Sequence, residues 1–396
     1  MCTLKRRAVL CAAVPAAIVA AVSACSDTSN NRGAEPTISL TTELGGSAEG
    51  YQRACEPRDF VFPADHGAHP GFRNEWWYVT GNLNNESGKR FGFHATFFRI
   101  ANQPVAGPVV GSLVGTETPD AWQSASNWAA SQFYMGHFAI SEEGAKKAAA
   151  HERFARAAAG LSGATAAPVK IWLDDWRLTG PAHDAETNQW RLSMTSDTES
   201  VELALSPQKP PVLQGERGLS VKSAGNCNAS YYYSISRMQV SGEISNGGEQ
   251  HSVTGSAWLD REWSSSVLAD HQVGWDWFAL QLTDGRDLMI YQLRDINGQA
   301  DTHSYAVEID KAGNKKIIPF EQIELTMERW WQSPSGANYP VAGRIHRGDT
   351  NETIVYQPLI DNQELPLTVR YWEGAILLSD EAGTSIGRGY LELTGY

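Results

Sequence analysis

The sequence predicts an all-β protein of two antiparallel β-domains in tandem, barrels or sandwiches, with a short helix inserted in the first, and three observations carry that expectation. The composition, with 14 Trp, 13 Tyr, 12 Phe and 36 Gly in 396 residues, suits aromatic strands and tight turns better than helices. Many short runs alternate apolar and polar residues between turns that contain Gly, Asn or Asp. The length exceeds one ordinary core and suggests two domains.

The chain opens with "MCTLKRRAVLCAAVPAAIVAAVSACSDTSN". Lys5, Arg6 and Arg7 precede an apolar stretch from Ala8 to Val22 and a polar exit, which is the layout of a secretory signal rather than of a buried helix. Val22-Ser23-Ala24-Cys25 resembles the bacterial lipobox, which implies removal of residues 1–24 and lipidation of Cys25. The protein is therefore expected to be exported and held to a membrane on its periplasmic side. Ser26 resembles the pattern sent to the outer membrane where a cell has two. Loss of residues 1–24 removes three basic residues and no acidic one, so the net charge moves from −13 to −16. An acidic surface of that size gives no footprint for nucleic acid and leaves membrane attachment to the lipid. Residues 25–50, rich in Ser, Thr, Asn and Gly, read as a flexible tether.

The first barrel is expected over residues 51–245. Its opening strand, within "HPGFRNEWWYVTGNL", places Trp76 and Tyr78 on one face and Trp77, Val79 and Leu83 on the other, because side chains alternate across a strand. Both faces must then be covered. A polar turn and "KRFGFHATFFRI" complete a hairpin ending in Arg99. "EEGAKKAAAHERFARAAAG", with its alanines and mixed charges, predicts the inserted helix from about Ala145 to Ala159, stopped by Gly160. The polar crossing "EISNGGEQHS", residues 243–252, is where the domain boundary is placed, with the second barrel over 246–396. There "VGWDWFALQLTDGRDLMIYQLRD" repeats the plan of the first hairpin, with Trp275 and Trp277 on its first strand, an Asp284-Gly285 turn and Arg294 at its end.

Of the five cysteines, Cys2 and Cys11 fall in the signal and Cys25 at the lipobox. Cys55 and Cys227 remain, and in an oxidising compartment such a pair is expected to form a disulfide.

Carboxyls in an apolar enclosure suggest acid–base chemistry, since desolvation raises the pKa of one while a hydrogen-bonded neighbour stays ionised. "AWLDREW" offers Asp260 and Glu262 on one strand face with Arg261 and Trp263 opposite, and "GWDWF" adds Asp276; these three are the candidate catalytic residues. Aromatic faces could stabilise a cation formed by protonating a double bond. Candidate ligand contacts are Trp77, Tyr78, Trp263, Trp275, Trp277 and Tyr291, with His94 and His137 as further lining residues. Glu75 with Arg99 and Asp276 with Arg294 are read either as ligand contacts or as inward ion pairs that tie each hairpin. Asp65, His66 and His69 in "DHGAH" have ligand types for a metal but lie in a Gly-Pro loop without fixed spacing, and no metal site is assigned. The chain lacks a phosphate loop, a dinucleotide fingerprint, a Gly-x-Ser-x-Gly elbow and an HExxH motif, so no cofactor is expected.

Three stretches, "DHGAHPGFRNEWWYVTGNL" with "TFFR", "GSAWLDREW", and "YWEGAILL" with "GYLELTGY", carry a resemblance to the AttH and carotenoid 1,2-hydratase family. The resemblance runs from about Arg53 to Tyr396. It implies two lipocalin-like barrels with a hydrophobic cavity, and in the hydratase branch the addition of water to a terminal double bond of an acyclic carotenoid. It also implies, for other members, lipoproteins encoded with components of ABC transporters. The hydratase branch has Asp-His-Asn-Trp where this chain has Asp260-Arg261-Glu262-Trp263, and Arg cannot exchange a proton near neutral pH as His can. Three functions follow: a lipid-anchored protein binding a hydrophobic small molecule such as an isoprenoid or lipid; a hydratase or cyclase acting on an isoprenoid or polyene; or a scaffold whose barrels are filled by their own side chains.

Overall fold

A computed structural model describes residues 38–39, 47–104, 130–181, 188–225, 227–266 and 268–396. The signal segment, Cys25 and Ser26 lie outside the described residues. Of the expected tether, the pair β1 (Ile38–Ser39) runs parallel to Val369–Arg370.

The first sheet uses β2 (Asn74–Asn85), β3 (Arg90–Ala101), β4 (Gln132–Glu142), β5 (Ala149–Arg156), β6 (Ser162–Ala166), β7 (Val169–Leu173), β8 (Trp176–Thr179), β9 (Trp190–Thr195), β10 (Ser200–Pro207), β11 (Val212–Leu213), β12 (Leu219–Val221), β13 (Ala229–Asn246) and β14 (Glu249–Ser264). Its order is β5-β4-β3-β2-β14-β13-β10-β9-β8-β7-β6, with β11 and β12 also on β13. The second sheet uses β15 (Gln272–Leu282), β16 (Asp287–Asp295), β17 (Tyr305–Ile309), β18 (Lys315–Pro319), β19 (Ile323–Gln332), β20 (Asn338–Arg347), β21 (Glu352–Pro358), β22 (Glu364–Pro366), β23 (Val369–Ser379) and β24 (Ser385–Leu393). Its order is β18-β17-β16-β15-β24-β23-β21-β20-β19, with β1 and β22 on β23. The fold is all-β and consists of two lipocalin-like sheets in tandem. The two repeats of the aromatic hairpin, β2–β3 and β15–β16, take the same place in their own sheets, as the third and fourth strands from one end.

The inserted helix does not form: among the described residues there is no α-helix, and Ala149–Arg156 is strand β5. Alanine favours helix by roughly a few tenths of a kcal/mol per residue, whereas the free edge of β4 offers a complete antiparallel ladder, with His137 opposite Glu152 and Tyr134 opposite Ala155. Tertiary pairing outweighs the local preference. The domain boundary also moves. Residues 243–252 are the hairpin between β13 and β14, closed by Gly247 and Gly248 at φ +60° and +83°, a left-handed turn that glycine adopts without strain. β14 pairs with β2 and belongs to the first sheet, so the chain changes sheets only at residues 265–271.

The alternation in β2 explains its two apolar faces. Trp77, Val79 and Leu83 join the core enclosed by the first sheet, while Tyr78 joins, and Trp76 packs against, a second cluster that fills the space between the sheets. The enclosed cores are filled by their own side chains: Trp77, Trp176, Trp190, Tyr233 and Trp263 in the first, and Phe278, Tyr356 and Trp372 in the second, are each at most 1 % exposed. The hydrophobic cavity that the resemblance implies is thus not found inside either core: among the described residues, large aromatics that point inward fill both. A disulfide joins Cys55, near the start of the fold, to Cys227 just before β13.

Candidate functional site

The sheets meet through their outward faces, and a chamber lies there. Its wall is Trp76 and Tyr78 of β2, Phe98 of β3, Tyr232 of β13, Asp260 and Glu262 of β14, Trp275 and Trp277 of β15, Tyr291 of β16, Tyr371 of β23 and Glu392 of β24, with Ser220 and Lys222 at and just after β12. Period-2 alternation brings them together, since each faces away from the core of its own sheet. The chamber measures about 60 Å³, room for a few water molecules.

Three carboxyls give this apolar space its chemistry. Asp260 accepts from the Tyr232 hydroxyl on Oδ2 at 2.7 Å, from the Trp258 indole N–H on Oδ1 at 2.7 Å, and from Ser234. Burial pushes it up to about 7 against those three donors, and the neighbouring Glu262 charge adds to the rise. Glu392 has one donor, the Trp275 indole N–H at 3.1 Å, and burial lifts it to about 8. Glu262 forms an ion pair with Lys222 at 2.5 Å and accepts from Ser230. Burial alone would lower the Lys222 ammonium, but Glu262 outweighs it and holds it raised and charged. The chamber therefore contains a carboxyl protonated at neutral pH, one poised near neutrality, and a compensated ion pair.

Beside it lies a second buried cluster. Tyr78 donates to Glu373, which burial raises well above the usual carboxylate range, and the Tyr371 hydroxyl lies 2.8 Å from His137 Nδ1 and 3.2 Å from His94 Nε2. Burial pushes both imidazoles down, so they are neutral.

The structure sorts the sequence candidates by face. Asp260, Glu262, Tyr78, Trp275, Trp277 and Tyr291 line the chamber, and His94 and His137 adjoin it through Tyr371. Glu75, Trp77, Arg99 and Trp263 do not: they lie on the inner side of the first sheet, where Glu75 binds Arg99 and Arg261, and Arg261 stacks over Trp77 at 3.9 Å. Asp276 and Arg294 face the second core, 3.1 Å apart, with the Tyr396 hydroxyl donating to Asp276. These displacements follow from parity, since Asp276 shares the face of Phe278 and Leu280 rather than that of Trp275 and Trp277. Asp65 and His69 are 3.0 Å apart, His66 meets Tyr233 and His69 stacks on Trp263 at 3.8 Å, which makes that loop a hydrogen-bonded plug of the first core. Sequence reasoning missed Glu392, Lys222, Tyr232 and Glu373. Glu392 between Leu391 and Leu393, and Glu373 after Trp372, are carboxyls on the face opposite an apolar one, a detectable signal; Lys222 follows a short strand and gives none.

Fold and site together define a class of protein: tandem lipocalin-like sheets packed face to face around an aromatic chamber that holds carboxyls. Within that class the chain belongs to the AttH-like family, whose model matches residues 53–396. An AttH-like protein of Nitrosomonas europaea is similar in structure, at 36 % identity and a TM-score of 0.73 over 87 % of this chain and 99 % of that one. Kievitone hydratase of Nectria haematococca shares the fold, at 12 % identity and a TM-score of 0.62 over 88 % and 97 % of the two chains. The comparison with curated proteins finds no match.

Proposed function

We propose that the chamber binds an unsaturated, largely apolar small molecule such as an isoprenoid or polyene, and adds water across a double bond or closes a ring by proton transfer. The observation that carries this reading is the pair Glu392 and Asp260 in one aromatic chamber: the first is protonated at neutral pH, and the second is held by three donors that favour its ionised form. Glu392 gives its proton to one alkene carbon, the O–H bond breaking as the C–H bond forms. The cation left on the neighbouring carbon is stabilised by the faces of Trp76 and Trp277. A water oxygen bonds to that carbon and loses a proton to Asp260; a proton returned to Glu392 restores the starting state. That kievitone hydratase, a hydratase by name, has this fold is consistent with the reading. Storage alone would not call for three buried carboxyls, which cost stability unless compensated.

The test is incubation of the protein with acyclic carotenoids and shorter isoprenoid polyenes in heavy-oxygen water. Label is expected in the product with the intact protein and is expected to fall by roughly 10²–10⁴-fold with Glu392→Gln or Asp260→Asn. Turnover unaffected by both would remove these residues from the reaction.

The aromatic wall also favours a second reading, a carrier that sequesters such a molecule and exchanges it with ABC transporter components. Native mass spectrometry followed by solvent extraction would find an unchanged bound guest in that case. Export and lipid anchoring at Cys25 belong to either proposal and rest on the Val22–Cys25 motif; metabolic labelling with a fatty acid, lost in Cys25→Ala, tests them.

A further inference from the structure

We propose that Glu152, His137 and Tyr371 form a proton relay between the protein surface and the chamber. Tyr371 is part of the chamber wall, and its hydroxyl lies 2.8 Å from His137 Nδ1. The other ring nitrogen, Nε2, lies 3.3 Å from Glu152 Oε1, a close approach outside hydrogen-bond geometry that a small side-chain rotation would align. His137 has no exposure, whereas the Glu152 side chain keeps 15 % of its surface in solvent and is fixed by the amide and hydroxyl of Thr368. His137 and Glu152 are directly opposed on β4 and β5, and Tyr371 comes from the other sheet, so the path crosses the seam between the two halves of the molecule.

The path has a second limb. The Tyr371 hydroxyl is 3.2 Å from His94 Nε2; His94 Nδ1, which has no hydrogen-bond partner among the described residues, faces Glu373 Oε1 at 3.7 Å; and Tyr78, on the chamber wall, donates to Glu373. Two buried imidazole nitrogens, His94 Nδ1 and His137 Nε2, and a buried carboxyl oxygen, Glu373 Oε2, have no hydrogen-bond partner among the described residues, which is expensive in a merely structural cluster. Neutral imidazoles that accept at one nitrogen and donate at the other are suited to passing a proton on. Burial tends to raise the Glu152 carboxyl, but His137 and Thr368 outweigh it and hold it below the usual carboxylate range, so it rests ionised. In the inward direction it takes a proton from solvent water and passes it to His137 Nε2, His137 Nδ1 gives its own to the Tyr371 oxygen, and the Tyr371 hydroxyl proton goes to a water in the chamber. Each O–H or N–H bond broken is replaced by one formed, and water is the only other reactant.

This inference rests on the proposed function only in taking the chamber as a place where protons are exchanged. The test needs no substrate: full-length protein is moved from H₂O into D₂O, and deuteration of the protonated chamber carboxyl is followed by its infrared carbonyl band, identified as the band lost in Glu392→Gln. Exchange is expected to slow by about a hundredfold in Glu152→Gln and in Tyr371→Phe, the scale of one positioned proton-transfer group, with amide exchange across β4 and β5 unchanged. Because Glu152 lies at the surface, its variant keeps the test valid if Tyr371→Phe does not fold. Carboxyl exchange that is unaltered in Glu152→Gln, or slowed only in step with the amides, would overturn the relay. Slowed carboxyl exchange in a protein that turns over no polyene would leave the relay standing and remove the hydration reading.

Discussion

Tyr78 of β2 and Trp277 of β15 meet edge to face across the seam between the sheets, their ring centroids 5.1 Å apart and their planes at 81°. Trp277 is 5 % exposed, also meets Trp258 at 6.1 Å, and donates its indole N–H to the Tyr232 hydroxyl at 3.3 Å. One side chain thus joins the sheets and forms part of the chamber wall. We expect Trp277→Ala to cost about 3–5 kcal/mol, as truncation of a buried Trp does, and to enlarge the chamber. Urea denaturation measures the first effect and uptake of a fluorescent polyene the second. A loss under about 1 kcal/mol would mean that the seam does not depend on this ring.

Stability should fall with rising pH because of the chamber acids. Burial first, and then neighbouring carboxylates, raise Asp260 from 3.8 to about 7 and Glu392 from 4.5 to about 8. A carboxyl whose pKa is higher folded than unfolded retains protons that the unfolded chain has lost. Its favourable contribution is therefore complete below about pH 4 and declines as pH rises through 7 to 8, by up to a few kcal/mol. Acids held low, such as Asp65 at about 2, act in the opposite sense and only below that window. Urea midpoints from pH 4 to 8 for wild type and Asp260→Asn/Glu392→Gln should converge or cross as pH rises; parallel curves would show that these carboxyls ionise normally.

Lys222 and Glu262 should be interdependent. Both are nearly buried and 2.5 Å apart, so Lys222→Met strands a carboxylate and Glu262→Gln strands an ammonium, each at a cost of about 3–5 kcal/mol. The double variant removes both charges and should lose less than either single one. A double-mutant cycle by denaturation measures this, and additive losses would refute the coupling.

How much of this was legible in the sequence depended on which contacts decided each feature. The β-hairpins, the two faces of β2, and the shared face of Asp260 and Glu262 follow from alternation, a local rule. The seam does not. No local pattern tells Trp277 that its cover will be a second sheet rather than an enclosed lumen, so the chamber was expected inside the barrels when it lies between them. Ala149–Arg156 was misread for a related reason, since its strand state is imposed by the edge of β4. Lys222 lay beyond reach altogether, because what marks it is Glu262 on another strand, 40 positions away in the chain. The place of Asp276 does follow from a local rule, as parity alone sets it apart from Trp275 and Trp277.

The duplicated hairpins carry ion pairs that should titrate in opposite senses. Burial tends to raise Glu75, but it meets two unexposed guanidiniums, Arg99 and Arg261, which with His69 hold it well below the usual carboxylate range. Asp276 meets one, Arg294, whose side chain is 9 % exposed; there burial wins over Arg294 and Tyr396, and the carboxyl is raised. The stability that Glu75 provides is present above its unfolded pKa and is lost as pH falls toward its depressed folded value. That of Asp276 is greatest below 3.8 and declines as pH rises. At pH 7, Glu75→Gln leaves two buried cations uncompensated and should cost about 3–5 kcal/mol or more, with the deficit shrinking as the solution is acidified. Asp276→Asn removes a charge that was itself held at a cost, keeps a partner for Tyr396, and should lose clearly less. Denaturation of both variants at pH 3 and pH 8 separates the cases, and equal losses at both would mean that the second guanidinium contributes nothing to the difference between the two halves of the molecule.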